Sequence, residues 1–385
     1  MPDATTILDR PKQLFGPRAV WNQPCDRSPL HARQDWLKEP GNDVDYPLYC
    51  LPFYRWEHTY LTGMPINIAA SDTPLAKVEF HTDQEAYPGE SDDLSGGVPI
   101  PDDVLIQGDP DPYPDVKDWT DFGPGDRHCL IVDGNTLHEF YRLKRNGPRS
   151  YLCGQYSRWD MNSYAMRPNG WTSTDAAGMP IAPLLVGYDE LMEATANGGV
   201  LSHALRFTQK FTNGYIWPAR HRANSGPETA PPMGLRVRLK ASYDDSKLSP
   251  ESRTIARTLK HKGMYLTDNG NRLEVCFTYD ERWKDGPTFA DITLDGGLIH
   301  ASDFEVVDDT YRQIGPDSME VKTLSPTVTP MDELENNLNQ LIALTQHASG
   351  LISELRAKAV EPDRVKALAD KIAAAAHEFA KALAG

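Results

Sequence analysis

The fold class is decided first at His128-Cys-Leu-Ile-Val-Asp133 and Leu137-His-Glu-Phe-Tyr-Arg-Leu143, two apolar runs on either side of a short turn. The turn reads Asp133-Gly-Asn-Thr136, and glycine and asparagine tolerate the positive φ angles that tight hairpin turns require. Arg149 to Arg158 has the composition of a third strand. The pattern predicts a β-meander near the centre of the chain.

Strand and helix signals continue beyond this meander. In Gly234-Leu-Arg-Val-Arg-Leu-Lys-Ala241 apolar and basic residues alternate, which places the apolar side chains on one face of a strand and the basic ones on the other. Pro250 to Lys262 has the pattern of a helix, with Ser249 as its N-cap and Gly263 just past its end. Further strands are expected near 46–54, 76–81, 200–208, 264–267, 272–278 and 304–307.

The composition changes after Pro326, where a heptad pattern begins. Apolar residues alternate spacings of four and three on both sides of Pro362, which predicts two amphipathic helices over 329–385. This tail either folds back as an intramolecular hairpin or serves oligomerisation and docking. The predicted fold class is therefore mainly β, a jelly-roll-like β-sandwich over 1–325 with a few short helices, followed by the two-helix tail.

The net charge and the cysteine content restrict the classes of partner and the cellular compartment that we expect. With 39 Lys and Arg against 55 Asp and Glu, the net charge is −16, which disfavours nucleic acid and anionic membranes as partners. We find no apolar run long enough to insert in a bilayer and no secretory signal, so we expect cytoplasmic synthesis. Reduced thiols are favoured for the five cysteines, with a Cys129–Cys153 or Cys25–Cys50 bridge left open.

The strongest group of chemically active residues lies between Trp171 and Lys240. Aromatic rings offer faces for sugar stacking and cations donate hydrogen bonds to hydroxyls or carboxylates. The alternative is structural: the same residues would then be core aromatics, paired arginines and a buried histidine. The candidates for substrate binding are Trp171, Tyr215, Trp217, Arg236 and Lys240.

Catalysis would draw on carboxylates or on a basic group. A glycosidase needs two carboxylates, for which Asp175, Asp268, Asp303 and Glu305 are candidates. A lyase would use an arginine with a tyrosine or histidine base. The catalytic candidates are Asp175, His203, Arg220, His221 and Asp268, and the sequence places no two of them together.

No cofactor is expected. Asp109, Asp111, Asp115 and Asp118 form an acidic stretch that could bind Ca²⁺, but it lacks the glycine and distal glutamate of an EF-hand. The histidines are scattered and lack zinc-ligand spacing. A solvated acidic loop is the favoured interpretation.

Several strings together carry a family resemblance. They are Gly170-Trp-Thr-Ser-Thr-Asp175, His203-Ala-Leu-Arg-Phe-Thr208, Tyr215-Ile-Trp-Pro-Ala-Arg-His221, Pro232-Met-Gly-Leu-Arg-Val-Arg-Leu-Lys-Ala-Ser242, Lys262-Gly-Met-Tyr-Leu-Thr-Asp-Asn-Gly270 and Ser302-Asp-Phe-Glu-Val-Val307. The chain resembles, over residues 20–307, a family of largely uncharacterised and often secreted bacterial proteins associated with carbohydrates. The resemblance implies a jelly-roll-like β-sandwich and carries no settled activity.

This chain departs from that family in lacking a signal peptide and in adding the tail, which suits a phage tail or other virion component. We therefore expect a protein that recognises a surface glycan, with homo-oligomer or virion-protein contacts through 329–385. The alternatives are a polysaccharide-cleaving enzyme, either a glycoside hydrolase or a lyase, and a purely structural assembly protein.

Overall fold

The protein is described by a computed structural model that covers residues 13–38, 44–50, 63–82, 86–109, 126–223, 225–293 and 296–322, with the backbone of 55–56 and 60–61. These residues form four β-sheets and two α-helices, so the predicted mainly β class is confirmed. The predicted tail over 329–385 lies outside the described residues. The chain divides into two compact units, one of residues 1–191 and 201–323 and one of 192–200 and 324–385.

The largest sheet has six strands and carries the candidate site. Its order is β1 (Tyr49–Cys50), β15 (Glu274–Val275), β12 (Leu205–Gln209), β14 (Met264–Asn269), β13 (Arg236–Leu239) and β16 (Phe304–Val307). The central strands β12 and β14 run parallel, whereas β13 is antiparallel to both of its neighbours. Parallel neighbours bring their carboxyl ends to one edge of a sheet.

The predicted meander lies in a four-stranded sheet, in the order β11 (Gln155–Asp160), β8 (Thr136–Tyr141), β7 (Cys129–Asp133) and β4 (Ile66–Ala69). The expected hairpin is confirmed, because β7 and β8 pair antiparallel with Asp133 opposite Thr136. The third predicted strand is split, since its first half, Ser150–Cys153 (β10), lies in another sheet. That second four-stranded sheet has the order β6 (Val98–Pro99), β5 (Leu75–Phe80), β10 (Ser150–Cys153) and β9 (Lys144–Gly147), and β2 (Arg55–Trp56) pairs with β3 (Tyr60–Leu61).

The helices are α1 (Tyr188–Ala196) and α2 (Pro250–His261). The prediction for α2 is confirmed, with Ser249 at the N-cap position and Gly263 at a φ of +65° just past the end. A Cβ on Gly263 would lie 2.3 Å from a backbone oxygen of β13, so glycine permits the close return of the chain into β14. Short 3₁₀ helices lie at Val20–Asn22, Gln34–Leu37, Pro88–Glu90, Ala182–Leu184, Glu281–Asp285, Ala301–Asp303 and Thr310–Arg312.

The core follows the apolar faces of these elements. One cluster fills the space between the strands of the two four-stranded sheets, and includes Val78, Ile100, Ile131, Phe140 and Tyr156. At the six-stranded sheet, α2 packs on β13 and buries Ile255 and Leu259. All five cysteines are buried and none is in a disulfide in the structure. Within the described part of the chain, we find no helix with the length and apolar character needed to cross a membrane.

Candidate functional site

Asp175 is placed by a hydrogen-bonded loop between β11 and α1. The N–H of Asp175 donates to Ser173 Oγ at 3.0 Å. The N–H of Ala177 donates to the Thr267 carbonyl at 2.9 Å, which joins the loop to β14. Gly178 has a φ of +68°, and a Cβ there would lie 2.6 Å from a backbone oxygen of the same loop. The loop therefore requires glycine at 178 in order to hold Asp175 against the sheet.

Arg206 of β12 meets Asp175 in a buried ion pair. Their side chains are 1% and 0% exposed, respectively. Arg206 Nε and Nη2 donate to the two oxygens of Asp175 at 3.1 and 2.8 Å. The same guanidinium reaches Thr267 Oγ1 at 3.1 Å and Cys276 Sγ at 2.9 Å. Both oxygens of Asp175 are thus occupied by a fixed, two-pronged partner.

Asp268 reaches the same arginine because the pairing of β12 with β14 is irregular. The register shifts after Phe207, so that Thr208 pairs with Asp268 and Thr267 is the extra residue. Such a bulge redirects side chains that a regular ladder would send to the opposite face. Asp268 Oδ2 lies 3.7 Å from Arg206 Nη2, and the Asp268 side chain is 24% exposed. Of the two aspartates, Asp268 alone is therefore accessible from solvent.

The electrostatics of the site favour a proton on Asp268. Burial raises the pKa of Asp268 well above its usual range, and the charge of Asp175 and a hydrogen bond between the two carboxyls raise it further. The charge of Arg206 lowers the pKa of Asp268, but the net shift is upward. Two carboxyls that share one cation cannot both ionise at low cost. These effects together favour the protonated form of Asp268.

Glu139 and His128 bind the backbone of the loop that carries Asp175. Glu139 accepts hydrogen bonds from the backbone N–H groups of Ile181 and Ala182 at 2.9 and 2.8 Å. Burial raises the pKa of Glu139 to about 7, although these bonds lower it. His128 Nε2 lies 3.1 Å from the Thr174 carbonyl. Since the polar atoms of both side chains bond to the fold, we assign them to support of the loop.

The other predicted catalytic residues lie apart from this pair. His203 is buried, with Nε2 3.2 Å from Glu190, so it joins α1 to the start of β12. Arg220 is 5% exposed, and its three nitrogens donate to two backbone carbonyls and to Asp317. His221 is 28% exposed in its side chain and has Nδ1 2.9 Å from the Ala176 carbonyl, beside the Asp175 loop. Among the side-chain contacts of the catalytic candidates in the described residues, only those of Asp175 and Asp268 share a partner, Arg206.

Trp171, Tyr215 and Trp217, which we call the aromatic patch, are each half-buried. The Tyr215 hydroxyl donates to Asn169 Oδ1 at 3.3 Å, which places it near the segment that carries Trp171. Trp217 Nε1 donates to the Ser318 carbonyl at 3.0 Å. These bonds fix the polar edges of two rings and leave part of each side chain accessible.

The predicted sugar-binding cations do not join the aromatic patch. Arg236 is buried, and Nη1 donates to Asp309 at 2.5 Å while its other nitrogens donate to backbone carbonyls. Lys240 is exposed, and its ammonium donates to the Ser302 carbonyl at 2.6 Å. The geometry gives both a role in holding the fold.

Arg206 is the residue of this site that the sequence analysis did not single out. It lies in the string His203-Ala-Leu-Arg-Phe-Thr208 and is the one charged residue of strand β12. All five residues of β12 are buried. A buried charge needs a partner, so that arginine was a signal for a carboxylate elsewhere in the chain.

The described residues contain no group of three or more histidine, cysteine or acidic side chains with the geometry to hold a metal ion. Asp109, the described member of the acidic stretch, pairs with Arg127 and Arg145. No family model matches the chain, and neither the curated proteins nor the solved structures gave a match. Functional argument therefore depends on the site itself.

Proposed function

We propose that the protein is a polysaccharide-cleaving enzyme, in which Asp268 donates the proton to the departing sugar oxygen. The observation that carries the proposal is the partly exposed Asp268 carboxyl beside the buried, arginine-bound Asp175. A general acid must keep its proton at working pH and must be reachable by substrate. Of the two aspartates, Asp268 meets both conditions.

The three charged groups would then have separate tasks. Asp175 is fully buried and bound through both oxygens, so it serves as the fixed charge that keeps Asp268 protonated, and not as the nucleophile. When Asp268 gives up its proton, the new carboxylate lies 3.7 Å from Arg206, whose charge stabilises it.

The aromatic patch supports a sugar as substrate. Pyranose rings pack their C–H faces on aromatic rings, and half-buried tryptophan and tyrosine are suited to such contacts. Because the polar edges of Tyr215 and Trp217 are already bonded to the protein, their rings would meet a ligand in a fixed orientation.

Conversion of Asp268→Asn tests the proposal. Asparagine keeps the size and one acceptor oxygen, but its amide N–H is not acidic and cannot transfer a proton to the leaving group. Wild type is incubated with a panel of polysaccharides, and new reducing or unsaturated ends are measured. We expect cleavage by wild type, a loss of about 100- to 10,000-fold in Asp268→Asn, and no change in the exposed control Asp72→Asn. Equal activity of wild type and Asp268→Asn would overturn the proposal.

Glycan recognition without cleavage is the second candidate, favoured by the aromatic patch. It predicts that wild type binds a glycan without new chain ends, and that Trp217→Ala weakens binding whereas Asp268→Asn does not. The jelly-roll topology, the virion location and assembly through 329–385 remain predictions from the sequence. For the first of these, the parallel pairing of β12 with β14 adds a feature that an all-antiparallel jelly roll lacks.

A further inference from the structure

We propose that Glu90, His221 and Trp171 form a subsite that binds two adjacent hydroxyl groups of a neutral sugar ring. This inference rests on the proposed function, because it names the class of glycan that the aromatic patch receives. All three side chains are accessible. Glu90 and His221 are 35% and 28% exposed in their side chains, and Trp171 is half-buried. We call these three residues the diol subsite.

Direct contacts bring the diol subsite together. A Cβ on Gly178 would lie 2.6 Å from the Trp171 carbonyl oxygen and 3.4 Å from the His221 nitrogen, so the two segments meet across this glycine. The N–H of Thr172 donates to Glu90 Oε2 at 2.9 Å. His221 Nε2 lies 3.9 Å from the same oxygen. The Glu90 carboxyl is therefore held between the residue that follows Trp171 and the His221 ring.

The contacts of His221 make its outer ring nitrogen an acceptor. Nδ1 lies 2.9 Å from the Ala176 carbonyl, which can only accept a hydrogen bond, so we assign the ring proton to Nδ1. In the neutral imidazole, Nε2 then has a lone pair and no hydrogen. The distance of 3.9 Å between Nε2 and Glu90 Oε2 is longer than a hydrogen bond. Two acceptors thus lie side by side without a hydrogen bond between them.

Two neighbouring acceptors are complementary to two neighbouring donors. A carboxylate has about four acceptor sites, and the Thr172 N–H occupies one of those on Glu90. Adjacent hydroxyls of a pyranose ring each carry an O–H group, so one can donate to Glu90 and the other to His221 Nε2. Hydrogen bonds to a charged carboxylate are stronger than those between neutral groups. The arrangement therefore favours a pair of hydroxyls as the ligand.

Trp171 supplies the apolar contact, and Glu90 disfavours an acidic ligand. The Arg167 guanidinium lies over the Trp171 ring, 5.5 Å from its centre, and the Arg167 side chain is 4% exposed, so the ring packs on a fixed, buried cation. The accessible part of the ring can then receive the C–H face of a sugar. The charge of Glu90 would repel the carboxylate of a uronic acid, and the net charge of −16 adds to this repulsion. We therefore expect a neutral glycan.

Calorimetric titration of the full chain tests the diol subsite. The ligands are neutral trisaccharides of glucose, xylose and mannose, acidic trigalacturonate, and the cationic trimer of glucosamine. A fully O-methylated form of the tightest neutral ligand keeps the C–H faces but has no hydroxyl to donate. The variants Glu90→Gln and Trp171→Ala are compared with the matched controls Glu79→Gln, which is exposed, and Trp36→Ala, which is half-buried like Trp171. Thermal melting checks that each variant is folded.

We expect a neutral trisaccharide to bind with little dependence on salt, because its contacts involve no ligand charge. We expect a loss of affinity of about ten-fold or more in Glu90→Gln and in Trp171→Ala, and no loss in the controls. In Glu90→Gln the new amide N–H group can donate to His221 Nε2 itself, which removes both acceptors from the ligand. Should Glu90→Gln fail to fold, His221→Ala removes the other acceptor and is judged by the same criterion.

The inference would be overturned if no neutral trisaccharide bound, or if trigalacturonate or the glucosamine trimer bound more tightly. Equal binding of the O-methylated ligand, or unchanged binding in Glu90→Gln, would overturn it as well. Binding of a neutral trisaccharide without cleavage of any neutral polysaccharide would support the diol subsite and count against the proposed enzyme. Cleavage that is lost in Asp268→Asn but unchanged in Glu90→Gln and Trp171→Ala would do the reverse.

Discussion

The six-stranded sheet contains two buried arginine–aspartate pairs, and they differ in how many carboxyls they hold. Arg206 on β12 and Arg236 on β13 both lie opposite Tyr265 of the strand between them, so the three side chains form one row. Each guanidinium is 1% exposed and bound to a buried aspartate, Asp175 or Asp309. The same kind of buried arginine–aspartate ion pair therefore occurs at two places along this sheet.

The surroundings of the two pairs separate their roles. Asp309 accepts hydrogen bonds from Tyr265 and Ser28 as well as from Arg236. Burial alone would raise the pKa of Asp309, but these contacts lower it below its usual value, which favours the charged carboxylate. At Arg206 a second carboxyl, Asp268, lies 3.7 Å from the same cation, and its pKa is raised well above its usual range. We assign the Arg236–Asp309 pair to the stability of the fold, and we propose that the additional carboxyl, Asp268, is the reactive group.

The largest expected effect is at the Arg236–Asp309 pair. Asp309→Asn leaves Arg236 buried without its carboxylate, and removal of one partner of a buried pair costs about 3–5 kcal/mol. Urea unfolding of the full chain, with Asp72→Asn as the control, measures it. A loss below about 1 kcal/mol would mean that the backbone carbonyls alone satisfy Arg236.

Asp175→Asn should cost less, about 1–3 kcal/mol, because Asp268 can ionise and replace the lost charge beside Arg206. The double variant Asp175→Asn/Asp268→Asn removes this reserve and should approach the loss in Asp309→Asn. The two substitutions are therefore non-additive, which a double-mutant cycle measures. Additive losses would contradict the idea that the two aspartates share one cation.

The smallest effect is a pH dependence. Because the pKa of Asp268 is raised in the folded state, wild type loses stability as pH rises from the unfolded value of about 4 through the folded value. Asp268→Asn removes this loss, so its melting temperature should gain on wild type with rising pH, by about 2 °C. Asp309 has the opposite sign, and its contribution is lost as pH falls. A difference between Asp268→Asn and wild type that is constant from pH 4 to 8 would contradict the assignment.

Local patterns in the sequence were sufficient to predict several of the secondary-structure elements. The strand at Phe304–Val307, the helix α2 and the turn between Asp133 and Thr136 all follow from alternation, caps and turn chemistry. Each depends on residues that are neighbours along the chain. Such patterns are the most dependable part of sequence-based prediction.

The residues of the candidate site are brought together by contacts between segments that are far apart in the sequence. Arg236 of β13 was predicted to bind substrate, but the chain near Val20–Asn22 covers it. Arg236 and Lys262 donate to backbone carbonyls there. Likewise, the bulge that brings Asp268 to Arg206 arises from pairing across about sixty residues. Alternation shows which side chains share a face, but not what packs on that face.

The five buried cysteines give the protein an internal reporter of opening. Burial raises the pKa of every thiol, to about 11 for Cys25 and about 12 for Cys276, so almost none is present as the reactive thiolate at neutral pH. A thiol reagent can therefore alkylate these cysteines only after a local opening of the fold exposes them to water and reagent. The alkylation rate of Cys276, which contacts Arg206, would report how often the candidate site opens. The rates of Cys129 and Cys153 would report the opening of the two four-stranded sheets.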